Sequence, residues 1–283
     1  MDFDLILSSL RLATPLLFAA LGGVISERAG VVNIALEGKL LAGAFAAAAV
    51  AYATSSPWLA LPAAAAAGAL VGLLHAVFCV VMRGDHIVVG VALNLLVAGA
   101  TQFLMSAWYG SSANTPTFAS FSGVSPLVWI AAFAVPAVAV TLHRTRFGLR
   151  LRAVGEHAEA LESLGVDALR VRVGAVMLAG ALAGLGGAFL ALEAAQFVKN
   201  MSAGRGFLAL AAVIFGKWRP TGAALACIFF GLTQAVQIRL QGIGIPTQFV
   251  QMLPWILTMV ALAGFVGSSR APAQLGTPLP RER

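Results

Sequence analysis

Charge is what this sequence has least of. Asp, Glu, Lys and Arg make up 10% of its 283 residues, while hydrophobic residues make up 60%. A water-soluble domain carries about 25% charged residues, so the chain cannot coat a globule with polar surface. Cysteine is nearly absent. Cys79 and Cys227 each lie inside an apolar run, which excludes a disulfide framework and makes both small core residues rather than metal ligands. No G-x-x-x-x-G-K-[ST] loop occurs, which excludes ATP binding by a Walker motif. No H-E-x-x-H occurs, the four histidines are scattered, and no Ser, His and Asp set stands out. No catalytic residue, cofactor site or metal site is therefore read. Asp and Glu are also missing from the middles of the clean apolar runs. That counts against a proton- or sodium-coupled carrier, which keeps an acidic ligand there. Residues 1–7 lack the basic start of a cleaved signal peptide, so the first apolar run is expected to be retained as a span.

What is present is long uncharged helix-forming sequence. Trp58 to Met82 and Ile87 to Trp108 contain no charge, and each exceeds the ~20 residues a helix needs to cross the hydrocarbon core. Spans must be helices or closed barrels, because lipid offers no partner to backbone N–H and C=O groups. The runs are continuous and rich in Ala, Leu and Gly, unlike the short alternating segments of a barrel. The fold class is an all-α polytopic membrane protein with about eight to ten transmembrane helices, broken or re-entrant segments included. Nine apolar segments are visible, near 8–25, 31–52, 58–82, 87–108, 126–142, 173–192, 206–216, 221–238 and 249–266. The second carries Asn33, Glu37 and Lys39 in its first half, and the seventh is too short to span. Both are expected to depart from ideal helix, which is tolerated where backbone is buried in protein or lines a cavity.

Lys and Arg placement orients the chain. If the 143–172 loop is cytoplasmic, alternation puts its six arginines on the same side as Arg28, Lys39, Arg83, Lys217, Arg219, Arg270, Arg281 and Arg283. That is fourteen of the 18 basic residues. The net charge of +7 is then cationic loop surface at a bilayer, not a nucleic-acid footprint. Residues 1–267 form one membrane domain on this reading. Residues 268–283, with Pro272, Pro278 and Pro280, are expected to be a disordered cytoplasmic tail. Leu21-Gly22-Gly23 and Leu185-Gly186-Gly187 each precede a glutamate and a Gly-broken segment, and run in opposite directions. Inverted repeats have this form, although chance would also produce it in a chain so rich in Ala and Gly.

The 143–172 loop is the most informative stretch. Glu156, Glu159 and Glu162 recur every three residues, with Leu161 and Leu164 beside them. Gly155 and Gly165 bracket them as helix breakers. A short helix of this kind either docks into a groove on a partner or is an ordinary solvated connector. Among the polar residues of the spans, Asn33 and Glu37 sit four apart on one helix face, as a gate or an interfacial cap. Asn94, Gln102, Gln234 and Gln237 are amides within clean spans. Such groups must be paired, either with a polar solute or with neighbouring helices at about 1 kcal/mol each. His86, after Arg83 and Asp85, reads as interfacial.

Gly155-Glu156, Glu159-Ala160 and Gly165-Val166 resemble the cytoplasmic coupling loop of ABC-importer permeases, with Leu161 standing where many such loops have a second Ala. The run Ser26-Glu27-Arg28-Ala29-Gly30-Val31-Val32-Asn33-Ile34-Ala35-Leu36-Glu37-Gly38 is more specific. It resembles the first block of nucleoside- and simple-sugar-type permeases in the branched-chain amino acid and ribose permease superfamily. Arg205-Gly206-Phe207 and Phe215-Gly216-Lys217-Trp218-Arg219-Pro220-Thr221-Gly222 resemble a later block, and the similarity covers about residues 12–266. The resemblance implies the permease subunit of an ABC importer in a bacterial cytoplasmic membrane. By alternating access it would translocate a nucleoside or related sugar-containing solute. It also implies three partners: a separate ATPase docked on Gly155, Glu156, Glu159, Ala160, Leu161, Leu164 and Gly165; a second, related permease chain; and an extracytoplasmic solute-binding protein. A secondary transporter or channel is the alternative, and a membrane-embedded enzyme ranks lower still.

Overall fold

The computed structural model describes residues 3–241, 252, 256 and 270–279. Among the residues described up to 241, ten α-helices follow in chain order: α1 (Phe3–Arg28), α2 (Leu36–Thr54), α3 (Pro57–Ala76, continued by a π-turn over Val77–Val81), α4 (His86–Tyr109), α5 (Pro126–Arg144), α6 (Arg146–Glu156), α7 (Ala158–Ser163), α8 (Ala168–Ala194), α9 (Arg205–Phe215) and α10 (Pro220–Leu240). Seven of these, α1 to α5, α8 and α10, are long and apolar enough to cross a membrane. The all-α polytopic class holds. The ninth apolar segment, 249–266, lies outside the described residues.

Helix starts follow local chemistry. The Asp85 carboxylate accepts from the N–H groups of Ile87 and Val88 at 2.9 Å, opening α4. Asp167 accepts from Arg170 N–H at 3.0 Å, opening α8, and Ser125 followed by Pro126 opens α5. Each side chain satisfies donors that a helix start leaves unpaired. The centre is α1, α2 and α8, whose apolar windows are 61–67% buried, against 22% for α4 and 28% for α5. Val88, Leu95 and Phe103 of α4 point outward, a face suited to lipid or to a partner helix. Small residues let α2, α3 and α8 close up: Gly43 lies on Gly184, Gly68 on Gly180 and Gly72 on Val176, with no space for a Cβ against the opposing backbone.

α1 and α8 run antiparallel, and their closest contacts are reciprocal. Gly22 packs on the backbone of Ala179, and Gly186 packs on the carbonyl of Pro15. The spacing from 22 to 186 equals that from 15 to 179, so exchanging the two helices exchanges the two contacts. Their neighbours exchange as well: α8 packs on α3 and α2 where α1 packs on α10 and α9. The repeat suggested by the paired Leu-Gly-Gly runs is thus a pseudo-two-fold in the packing.

The second and seventh segments are irregular, as the sequence suggested. Residues 29–35 leave α1 without helix before α2 begins at Leu36, and residues 195–204 leave α8 before α9. With 11 residues, α9 is about 16 Å long, half of the ~30 Å hydrocarbon core. Its C-terminal end is tied to the end of α1, since Trp218 Nε1 donates to Glu27 Oε2 at 2.6 Å and Arg28 Nε donates to the Trp218 carbonyl at 2.8 Å. The N-terminus of α9 therefore sits near mid-depth.

Two end faces result. One gathers Arg28, the 145–168 connection, Trp218 and residues 270–279, and carries most of the arginines. On the opposite face the connection after α4 pairs with the one after α8: Thr115 N–H donates to the Phe197 carbonyl and Lys199 N–H to the Ala113 carbonyl, both at 2.9 Å. Residues 270–279 belong to the basic face. They lack helix but are hydrogen-bonded to Gly30, Gly155 and Arg172 on the basic face, with Leu279 buried.

Candidate functional site

Non-helical backbone in the membrane interior needs partners for its N–H and C=O groups, and side chains of the 26–38 run and of α4 supply several of them. Ser26 Oγ donates to the Val31 carbonyl at 3.0 Å. Val32 N–H donates to His86 Nδ1 at 3.2 Å, and Asn33 N–H to Glu27 Oε1 at 3.4 Å. Asn94 reaches across from α4, its Nδ2 donating to the Ile34 carbonyl at 3.0 Å and its Oδ1 accepting from Gly38 N–H at 2.7 Å. Both ends of the Asn94 amide are thus spent on the break, and His86 is a backbone partner.

Glu37 is spent in the same way. Its Oε1 accepts from Gly204 N–H at 2.8 Å and its Oε2 from Gly206 N–H at 2.7 Å. A carboxylate on the first amides of α9 satisfies orphan donors and meets the positive end of the helix dipole. Gly206 is required here: a Cβ would overlap the Glu37 backbone. The N-terminal ends of α2 and α9 meet at this contact.

Lys39 was grouped by charge with the cytoplasmic basic residues, and the structure corrects this. It is fully buried; its Nζ donates to Asn33 Oδ1 at 2.6 Å and lies 3.0 Å from Nδ1 of the buried His75. Asn33 thereby partners the buried Lys39 side chain.

Above this joint, towards the opposite face, a cavity of about 430 Å³ opens between α1, α8, α9 and α10. That is within the 300–1,000 Å³ of small-molecule sites. Its walls include Pro15, Phe189, Met201 and Ile238, and its charges are Arg11, Glu193 and Arg205. Arg11 and Glu193 form an ion pair. Arg205, the first residue of α9, donates to the Met201 carbonyl at 3.2 Å, and its neighbour Gly206 touches Glu37, so the joint is the cavity floor. Sequence reasoning missed these residues. The signal was present, since ionisable residues at apolar segments are functional candidates by default, but Glu193 falls just past the sixth segment and Arg11 near the start of the first.

The six polar residues weighed as a solute path thus separate. Asn33, Glu37 and Asn94 come together at the break. Gln234 and Gln237 lie on α10, one turn from and adjacent in sequence to the cavity-lining Ile238, and Gln102 sits on α4, which does not line the cavity.

The presumed docking loop is also rearranged. Gly155 does not break the helix. It lies within α6, against the Arg28 carbonyl, where a Cβ has no room. The break falls at His157, whose φ of −155° and ψ of 84° separate α6 from α7. Gly165, with φ of +76°, does follow α7 in a conformation that favours glycine. Leu161 and Leu164 do not form one outward face: Leu161 is 5% exposed and belongs to the core, whereas Leu164 is 78% exposed. Glu156, Glu159, Ala160 and Glu162 are exposed around it.

Comparison with known proteins places this geometry. The chain is 38% identical to the guanosine ABC transporter permease protein NupQ of Bacillus subtilis, over 96% of this chain and 94% of the relative. It is 36% identical to the putative glucose ABC transporter permease protein TsgC13 of Haloferax volcanii, over 84% and 78%. It is 27% identical to a further guanosine ABC transporter permease protein of Bacillus subtilis, NupP, over 93% and 81%. Residues 5–262 match the family model described as branched-chain amino acid transport system / permease component, and the chain belongs to that family.

Proposed function

We propose that this chain is a permease subunit of an ABC importer for nucleosides. The observation that carries the reading is its near full-length similarity to a guanosine permease, together with the resemblance of the 26–38 run to the nucleoside-type block. It is a transport subunit, not an enzyme, and ATP hydrolysis belongs to a separate chain.

The basic face is cytoplasmic in this reading, by the bias of Arg and Lys to that side, and the membrane is the bacterial cytoplasmic one. An ATPase docks on the exposed surface of Glu156, Glu159, Ala160, Glu162 and Leu164. A second permease chain completes the path, as the matches to two guanosine permease proteins of one organism support. An extracytoplasmic binding protein delivers solute at the opposite face, where the cavity opens. Phe189 offers a ring to the base, and Arg11, Glu193 and Arg205 offer donors and acceptors to the sugar hydroxyls and base edge. Gln234 extends this lining inward. Alternating access then requires the α2 and α9 ends to part below the bound solute, so the Glu37 contact is a gate as well as a cap. The charges lining the cavity favour a polar solute over a branched aliphatic one.

The test is affinity isolation of the tagged chain from its native membrane, with ligand screening of the associated binding protein by calorimetry. The reading expects an ATPase and a second permease in the complex, and a binding protein that prefers nucleosides to glucose. A complex without an ATPase would indicate a secondary transporter or channel. A binding protein that takes glucose and no nucleoside would move the solute to the sugar class.

A further inference from the structure

The described part of the C-terminal tail is tied to three helices and to the turn at Gly30. Gln274 N–H donates to the Gly155 carbonyl at 2.9 Å, at the end of α6. Gln274 Oε1 accepts from Ala158 N–H at 3.3 Å and from Arg172 Nη2 at 3.1 Å. Ala158 opens α7, and its own N-cap residue, His157, makes no side-chain cap. Gln274 therefore satisfies, from over a hundred residues away, a donor that the helix start leaves unpaired. Arg172 is buried on α8, and its Nη1 donates to the Thr277 carbonyl at 2.7 Å. Two residues after Gln274, Gly276 N–H donates to the Gly30 carbonyl at 2.9 Å. Gly30 belongs to the non-helical run 29–35 that leads into α2 and Glu37.

We propose that residues 270–279 are a coupling strap. Gln274, held by Arg172, carries displacement of α7 into the 30–36 segment and so to the α2–α9 joint. The proposal rests on the reading of α7 as the ATPase docking surface. The geometry explains why both ends are needed. The turn at Gly30 also meets α6, where Gly155 lies on the Arg28 carbonyl, and Arg172 of α8, whereas α7 is separated from α6 by the break at His157. The strap bridges that break. One glutamine oxygen holds the start of α7 and a guanidinium fixed on α8, and the backbone two residues on holds the turn. Movement of α7 without the strap would be absorbed at His157. Leu279 is buried and Leu275 packs against the core, so the strap is seated by apolar contacts independently of Gln274.

The test uses the complete importer in proteoliposomes, with uptake and ATP hydrolysis measured together and membrane insertion quantified. Gln274→Leu keeps the size and removes the acceptor. Gln274→Glu keeps an acceptor for both donors. The proposal expects Gln274→Leu, and deletion of 270–283, to leave the ATPase bound and hydrolysing. Solute moved per ATP should fall about tenfold, the scale of losing one hydrogen bond to a buried charged group. Gln274→Glu should keep the ratio. A Gln274→Leu importer with an unchanged transport-to-hydrolysis ratio would overturn the strap. So would loss of the ATPase on tail deletion, because the tail would then be part of the docking surface. Leu164→Asp, assayed in parallel, separates the underlying reading: an importer that retains its ATPase with Asp at 164 places the fault in the docking surface, whatever Gln274→Leu does.

Discussion

Replacing Glu37 with Gln isolates the α2–α9 joint. The native carboxylate accepts from Gly204 N–H at 2.8 Å and Gly206 N–H at 2.7 Å, and the residue is 8% exposed. Gln preserves the size and one acceptor oxygen. Its NH₂ group would face a backbone N–H, so one of the two amides loses its partner and meets a second donor. A hydrogen bond to a charged group is worth about 1.5–3 kcal/mol, and a charge at a partly buried helix end adds up to about 2 kcal/mol. Some of this is recovered by relaxation of the first turn. A net cost of about 2 kcal/mol at the joint corresponds to a roughly thirtyfold rise in local opening. Amide hydrogen exchange in detergent-purified protein reads this directly. Exchange in the 204–208 segment should accelerate roughly thirtyfold, while the centre of α8 keeps its protection. Uniform acceleration would mean that Glu37 stabilises the whole bundle rather than a joint. Unchanged protection at 204–208 would refute the capping argument.

Leu161→Asp and Leu164→Asp should differ: the first puts a charge into the core and should cut the yield of folded protein, costing about 3 kcal/mol or more, while the second should insert normally and release the ATPase on pull-down. Gly155→Val should destabilise the basic face, since its side chain meets the Arg28 carbonyl, and a lowered thermal midpoint of the purified protein checks this. Arg11→Ala and Glu193→Ala should each weaken the apparent affinity for solute in uptake assays by about 1 kcal/mol or more, non-additively, as expected for a paired site; additive effects would separate the two residues.

Hydropathy made the spans legible, because a charge-free run of membrane length has few alternatives. The same reasoning located both irregular places, since Asn33, Glu37 and Lys39 interrupt the second segment and the seventh is too short. The purpose of those polar groups was not legible. From sequence the Asn94 amide could pair with a solute or with a neighbouring segment, and in the structure it pairs the Ile34 carbonyl and the Gly38 amide. Only the three-dimensional path of 29–35 shows backbone groups that need it. Three-residue spacing puts Leu161 and Leu164 on one apolar face of a continuous helix, whereas α7 ends at Ser163 and leaves Leu164 at its C-cap, exposed, while Leu161 is buried within the helix. Gln274 and Gly276 find partners in Gly155, Ala158, Arg172 and Gly30, which no local rule connects. The Arg11–Glu193 pair spans 182 residues and was invisible for the same reason.

The central claim is that this chain moves nucleosides inward at the expense of ATP hydrolysed by another subunit. Proteoliposomes containing the purified permease pair and ATPase, with ATP on the ATPase side and binding protein plus labelled guanosine on the other, test it most directly. The account predicts guanosine accumulation that requires ATP and disappears with Leu164→Asp. Accumulation that proceeds without ATP, or ATP-dependent uptake of glucose with no uptake of guanosine, would contradict it.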